Sequence, residues 1–201
     1  MIVDLREKFR TPTLDTRLHW RCEPSRWQID MAGGWLRVEP DAHTDYWQRT
    51  HYGFQVDNGH FLFAEVAGSF TLTTHVTFQP VHQYDQAGLM VRLSPECWLK
   101  TSVEHEPGPT NRLGVVVTNA GYSDWSTQDV PADLHQLWLR VGRTGADYLV
   151  QSSVDGTSWL QLRLAHLHAD DGQQPVSAGL YACSPTGAGF RADFELLAIS
   201  A

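Results

Sequence analysis

The sequence lacks the features that identify several large classes of protein. Its three cysteines are scattered without a Cys-x-x-Cys pair, so neither a disulfide framework nor a structural zinc site is expected. The chain has 15 basic and 23 acidic side chains and no run of lysine or arginine, which argues against nucleic acid as a partner. No apolar run approaches the roughly 20 residues of a membrane-spanning helix, and the N-terminus carries charges where a signal peptide needs an apolar segment. We therefore expect a cytoplasmic protein that does not enter membranes, with no metal and no cofactor.

Helix signals are nearly absent, whereas alternating apolar and polar residues recur along the chain. Residues 69–78, 136–141 and 190–198 each place their larger apolar side chains on one face of a strand. Turn dipeptides separate such runs, and Asp155-Gly156 is the strongest short hairpin signal. The regular spacing of the turns predicts an all-β fold of about a dozen strands. We expect a two-sheet antiparallel β-sandwich of jelly-roll type, with residues 1–201 forming a single domain.

The stretch from Thr44 to His60 combines acid, base, imidazole and indole groups with few aliphatic residues. Such polar groups cost roughly 1–3 kcal/mol each when they are buried without a partner, so they are usually exposed or converge on a ligand. Strand alternation over this stretch predicts one shared face for four of its residues: Asp45, Trp47, Arg49 and His51. We interpret this face as part of a ligand site.

Residues 86–93 and 97–104 form the second candidate region. Each has one apolar face, and if these faces share the core, the opposite faces lie side by side on one sheet. That second face would carry Gln86, Arg92, Trp98, Lys100 and Glu104. The alternative interpretation is a solvated surface with an ion pair worth under about 1 kcal/mol. Lys100, four residues before Glu104, is expected to lower the pKa of that carboxyl group, which favours a base, nucleophile or ligand anchor over a general acid.

Two further signals are open to more than one interpretation. Asp124-Trp125 pairs a carboxylate with an indole, an arrangement found in sugar sites and equally in ordered turns. His51 has an ordinary pKa near 6.5 and could act as acid or base, or serve a structural role. His166-Leu167-His168 lacks a third ligand at diagnostic spacing, so zinc is not expected there. Gly-x-Ser-x-Gly is absent, which leaves serine nucleophile chemistry without support.

Several segments together resemble the regulation-of-enolase family of concanavalin A-like jelly-roll domains. They are residues 44–54, 57–60, 84–92, 98–104, 123–126, 155–163 and 184–185. The resemblance implies a curved two-sheet sandwich whose concave face binds or cleaves glycans in relatives of the fold, but it does not supply a reaction. Residues 84–89 also look like the accessory sandwich domain of some β-xylosidases. The double-carboxylate Glu-x-Asp-x-x-Glu of concanavalin-fold hydrolases is missing, since Glu104-His105-Glu106 lacks two of its acids.

Three functions follow as hypotheses. The first is recognition of a carbohydrate or sugar derivative as a small-molecule ligand on the concave face. The second is an enzyme acting on a sugar or sugar phosphate at the same site, with Glu104, His51 and Lys100 as catalytic residues. The third is a protein-binding regulator of a metabolic enzyme. The predicted ligand-binding residues are Asp45, Trp47, Arg49, Asp85, Gln86, Arg92, Trp98, Asp124 and Trp125.

Overall fold

The computed structural model describes residues 4–201, which form seventeen β-strands and contain no helix. Within those residues there is accordingly no helix long and apolar enough to cross a membrane. The strands are β1 (Asp4–Glu7), β2 (His19–Arg21), β3 (Arg26–Asp30), β4 (Trp35–Glu39), β5 (Tyr46–Gln48), β6 (Gln55–Asp57), β7 (His60–Val66), β8 (Phe70–Gln79), β9 (Gln86–Ser94), β10 (Cys97–Glu104), β11 (Thr110–Asn119), β12 (Tyr122–Pro131), β13 (Gln136–Thr144), β14 (Asp147–Ser153), β15 (Leu160–His166), β16 (Val176–Cys183) and β17 (Arg191–Ser200).

The strands form two large antiparallel sheets. The seven-stranded sheet has the order β12-β11-β10-β9-β16-β7-β2, and the eight-stranded sheet has the order β15-β14-β13-β8-β17-β4-β3, with β1 added beside β17. Strands β5 and β6 form a separate two-stranded hairpin. The all-β sandwich predicted from the alternating patterns is therefore confirmed.

The main core lies between the two sheets and follows the predicted alternation. In β8, Phe70, Leu72, Thr74, Val76 and Phe78 are buried, while the residues that alternate with them are partly exposed. This is the outcome expected when one face of an antiparallel strand packs on the core.

The hairpin predicted at Asp155-Gly156 is present between β14 and β15. Oδ1 of Asp155 accepts hydrogen bonds from the backbone amides of Thr157 and Ser158, at 2.8 and 2.7 Å. Gly156 adopts a φ of 73°, a conformation that favours glycine. The loop spans residues 154–159, which is longer than a two-residue turn, and the Asp155 side chain caps two of its amides.

A second, smaller apolar cluster lies on the outer face of the seven-stranded sheet, the face turned away from the eight-stranded sheet. Residues 44–60 fold back over this face and contribute Tyr46 and Trp47 to the cluster. The prediction of a regular strand through this stretch is wrong beyond Gln48. Arg49 and His51 have φ values of 55° and 63°, outside the strand region, so their side chains do not alternate with Asp45 and Trp47.

Candidate functional site

A hollow of about 600 Å³, its open mouth included, lies on the outer face of the seven-stranded sheet beside the apolar cluster. We call it the first hollow. Its floor comes from β9, β10 and β11, and its walls come from β12 and from loops that precede β5, follow β5 and precede β9. The lining residues are Asp45, Trp47, Tyr52, Phe54, Tyr84, Gln86, Lys100, Glu104, Val116 and Trp125.

Four polar side chains of the floor form one connected chain of hydrogen bonds. Nζ of Lys100 donates to Oδ1 of Asp45 at 3.2 Å and to Oε1 of Gln86 at 2.9 Å. Nε2 of Gln86 in turn donates to Oε2 of Glu104 at 2.9 Å. Lys100 is only 4% exposed, so its charge depends on Asp45 for compensation.

Glu104 differs from its neighbours because burial has the largest effect on its pKa. Withdrawal of the carboxyl group from water raises the pKa of Glu104 to about 8, against the opposing effect of the Lys100 charge. The expected lowering of this pKa by Lys100 is therefore wrong as a net result. Lys100 forms its ion pair with Asp45, and the negative charge of Asp45 further disfavours ionisation of Glu104. At neutral pH Glu104 is mostly a neutral acid that can donate a hydrogen bond.

Aromatic rings form much of the wall and rim of the first hollow. Trp47 is 8% exposed and is fixed by a hydrogen bond from its indole Nε1 to the carbonyl of Thr50, at 3.0 Å. Tyr52 and Phe54 stack with their ring centroids 5.9 Å apart, and they are 56% and 45% exposed. Exposed rings of this size beside a polar floor can stack on an apolar ligand face while the floor binds polar groups.

The structure brings six of the residues predicted from sequence into this hollow. The register pairs Glu104 with Gln86 and Lys100 with Met90, so the outer faces of β9 and β10 lie side by side as expected. Asp45 reaches the same place from a segment 55 residues away in sequence. The six are Asp45, Trp47, Gln86, Lys100, Glu104 and Trp125.

Three other residues that were predicted to bind the ligand contact protein groups instead of lining the first hollow. Trp98 is fully buried in the apolar cluster, with its ring 6.1 Å from that of Tyr46, and it cannot offer a stacking surface. Arg92 points to Asp57, which accepts from it at 2.8 Å. Asp85 is buried and binds the amides of the preceding loop, at residues 81 and 82, together with the hydroxyl of Ser184. These three placements correct the prediction that the side chains face the ligand.

The remaining predicted residues lie outside the first hollow: Arg49 and His51 because the chain turns after Gln48, and Asp124 on β12. Arg49 donates to the carbonyl of Gly121 at 2.8 Å and lies 3.6 Å from Glu96. His51 and Asp124 line a neighbouring depression. The structure therefore does not place His51 in one hollow with Glu104, as the predicted acid–base pair requires.

Tyr52, Phe54, Tyr84 and Val116 line the first hollow without having been predicted from sequence. Tyr52 and Phe54 flank Gly53, whose φ of 76° marks a tight loop rather than a strand. Two aromatic residues around a glycine in a polar stretch were a usable signal for an exposed aromatic loop. Within residues 4–201 no group of three histidine, cysteine or acidic side chains could hold a metal ion.

The fold and the hollow define a β-sandwich protein with a polar, aromatic-walled cleft on one sheet. Residues 20–201 match the family described as "Protein of unknown function (DUF1349)", and the chain belongs to that family. It is 36% identical over 182 residues to "Regulation of enolase protein 1" of Saccharomyces cerevisiae, covering 90% of this chain and 88% of the yeast protein. The resemblance to the regulation-of-enolase family inferred from sequence motifs is confirmed.

Solved structures give the same assignment of fold. A functionally unknown protein from Saccharomyces cerevisiae has a TM-score of 0.84 and 34% identity, over 92% of this chain and 97% of that chain. A xylan β-1,4-xylosidase from Bacillus halodurans has a TM-score of 0.76 and 15% identity, over 98% of this chain but only 39% of the xylosidase. At 15% identity, the similarity to the xylosidase shows a shared fold alone.

Proposed function

We propose that this chain is a carbohydrate-binding protein, acting as a single domain, and that the first hollow is its ligand site. The observation that carries the proposal is the combination of a hydrogen-bonded polar floor with aromatic walls. Sugars present hydroxyl groups in the ring plane and C–H groups on the ring faces, so they need polar groups and aromatic surfaces together. The three cysteines are free thiols, which supports a reducing compartment such as the cytoplasm.

The floor keeps hydrogen-bonding capacity for a ligand. Within the described residues, the floor hydrogen bonds use Oδ1 of Asp45 and Oε2 of Glu104, and the second oxygen of each carboxyl group accepts no protein hydrogen bond. Among residues 4–201, Lys100 uses two of its three N–H groups in hydrogen bonds, which leaves one for a ligand. The floor can thus accept hydrogen bonds through Asp45 and donate them through Lys100 and neutral Glu104.

The proposal is tested by titrating the protein with the methyl glycosides of xylose, arabinose, glucose and galactose, followed by calorimetry and tryptophan fluorescence. We expect at least one of them to bind with a Kd near 1 mM or below, about −4 kcal/mol. Glu104→Ala should weaken that binding at least tenfold. The matched control is Glu65→Ala, which removes an exposed glutamate from β7 of the same sheet. Binding of none of the four sugars, or equal binding by Glu104→Ala, contradicts the proposal.

Glycoside hydrolysis is a second candidate, favoured by the raised pKa of Glu104, which resembles that of a general acid. The second catalytic residue would be the carboxylate Asp45 rather than the predicted His51, because Asp45 lines the first hollow together with Glu104. Including p-nitrophenyl glycosides of the same four sugars separates the two functions. Release of p-nitrophenol that Asp45→Asn abolishes would assign hydrolysis, and binding without release would assign recognition alone.

The name of the yeast relative supports a further proposal, a regulatory link to a metabolic enzyme such as enolase. The exposed apolar side chains of the β14–β15 hairpin, Val154, Leu160 and Leu164, are available for such a contact. None of the three lines the first hollow, so ligand binding does not occupy the side chains proposed for partner binding.

A further inference from the structure

A second hollow adjoins the first along the edge of the seven-stranded sheet. It measures about 780 Å³ with its open mouth included. Trp47, Tyr52 and Trp125 line both hollows, so these three rings form a shared aromatic ridge between them. The other residues of the second hollow are Thr50, His51, Tyr122, Ser123 and Asp124.

The wall of the second hollow is held in place by Arg49. Its guanidinium group donates to the carbonyl of Gly121 and lies 5.7 Å from the centre of the Tyr122 ring. These contacts join the loop after β5 to the turn between β11 and β12. The two sides of the second hollow are thus linked to each other.

The second hollow repeats the chemistry of the first with different residues. Tyr122 is 61% exposed and offers a ring face at its far end. The side chain of Asp124 is 74% exposed and pairs with Arg163 at 3.3 Å through one oxygen, which leaves the other oxygen directed to solvent. His51 is also exposed and adds a nitrogen donor or acceptor. An aromatic face with polar groups beside it is again what a sugar ring needs.

We propose that the two hollows are consecutive subsites for one glycan chain, with one sugar ring in each hollow and the glycosidic link across the aromatic ridge. The ligand class is therefore an oligosaccharide of at least two rings rather than a free monosaccharide. This inference rests on the proposed function, because it assumes a sugar in the first hollow. It gives His51, Tyr122 and Asp124 a role that the first hollow alone does not.

The test compares methyl β-xyloside with xylobiose and xylotriose, and methyl β-glucoside with cellobiose and cellotriose, by calorimetry. For the series that binds, we expect the disaccharide to bind roughly tenfold more tightly than the methyl glycoside, since a second ring adds contacts without a second loss of translational freedom. The double variant Tyr122→Ala/Asp124→Ala should remove this gain and leave the affinity for the methyl glycoside unchanged. Both residues are exposed, so the variant should keep the melting temperature of the wild type.

The matched control for the second subsite is Asp147→Ala. Its side chain is 75% exposed and lies 2.7 Å from Nδ1 of His166, so it resembles Asp124 in exposure and in having a hydrogen-bonding neighbour, but it lies outside both hollows. Equal affinity for methyl glycoside and disaccharide would overturn the second subsite and leave the proposed function standing. A disaccharide gain that survives the double variant would also overturn it. If neither series binds in any form, the two-subsite proposal falls, whereas the proposed function falls only if the methyl glycosides of arabinose and galactose also fail to bind.

Discussion

Two clusters of buried charged side chains lie in different parts of this molecule, and their surroundings differ. Arg143 and Asp170 form an ion pair between β13 and the loop after β15, and both side chains are 0% exposed. Lys100 and Asp45 form the other pair, in which the lysine side chain is 5% exposed and the aspartate side chain 20% exposed. The first cluster is closed to solvent, whereas the second opens on the first hollow.

The closed cluster satisfies its polar groups internally. Nη1 of Arg143 donates to the carbonyl of Gly68 at 2.9 Å, and Nη2, which also pairs with Asp170, donates to the carbonyl of Gln174 at 3.2 Å. Burial alone would raise the pKa of Asp170, but hydrogen bonds from Arg143 and Tyr148 hold it below its ordinary value. In the floor of the first hollow burial prevails instead, and the pKa of Glu104 rises to about 8.

Structural buried charges differ from those available for chemistry in whether their polar groups are fully paired. A cluster whose donors and acceptors pair with one another stabilises the positions of its strands and has no capacity left for a ligand. A cluster that keeps unpaired oxygens, an N–H group and a perturbed carboxyl group at the base of a cavity has the composition of a functional site. Substitutions in the two clusters should therefore differ in their effects on stability and ionisation.

The largest effect is expected for Arg143→Met, which leaves Asp170 buried without its positive partner. We expect the free energy of unfolding to fall by about 3–5 kcal/mol, as is typical when one member of a buried pair is removed. Urea denaturation measures it. Arg140→Met on the same strand is the control, because Arg140 is partly exposed over the Trp159 ring and should cost about 1 kcal/mol. A loss below about 1 kcal/mol for Arg143→Met would show that the closed cluster is not structural.

The next effect concerns Glu104→Gln and depends on pH. The folded pKa of Glu104 is about 8 and its ordinary value is 4.5, so the folded state holds the proton more tightly than the unfolded state. The stability contributed by this proton is fully present below pH 4.5 and is lost progressively as the pH rises to 8.

The wild type and Glu104→Gln should therefore be about equally stable at pH 4. At pH 8 the variant should be more stable by roughly 2–4 kcal/mol, because the neutral amide need not ionise. Denaturation at a series of pH values measures the difference, and Glu65→Gln on the same sheet is the exposed control. A constant difference between wild type and Glu104→Gln across this range would contradict the raised pKa.

The smallest effect is expected for Lys100→Met. Asp45 keeps contact with water, so the loss of its partner should cost only about 1–2 kcal/mol, less than the same substitution of Arg143. The pKa of Glu104 should rise further, because the positive charge of Lys100 lowers it in the wild type. A carbon-detected NMR titration of the Glu104 carboxyl group measures this change. A fall of that pKa, or a loss of stability equal to that of Arg143→Met, would remove the distinction between the two clusters.

Sequence reasoning recovered those parts of the site that depend on local periodicity. The outer faces of β9 and β10 follow from alternation within each strand, and the pairing of Glu104 with Gln86 agrees with it. The same reasoning failed after Gln48, because Arg49 and His51 leave the strand region of φ. Periodicity does not predict the position of Tyr84, because this residue lies in the loop before β9 rather than in a strand.

Trp98 shows a different limit. Alternation correctly places it on the outer face, opposite Arg92, but it does not reveal that Tyr46 and its neighbours cover the ring. A residue on an outer face is exposed only if no distant segment packs over it. The ionisation of Glu104 has the same dependence, since its pKa reflects how far the surrounding walls exclude water.

The strands, the two-sheet sandwich and the polar outer faces are predictable from the amino-acid sequence, because alternation along a strand is a local property of the chain. The folded arrangement was needed to learn which of those outer residues the 44–60 segment buries, which residues line a hollow, and which carboxyl group keeps its proton. Burial and desolvation depend on contacts between residues far apart in sequence, such as Asp45 and Lys100.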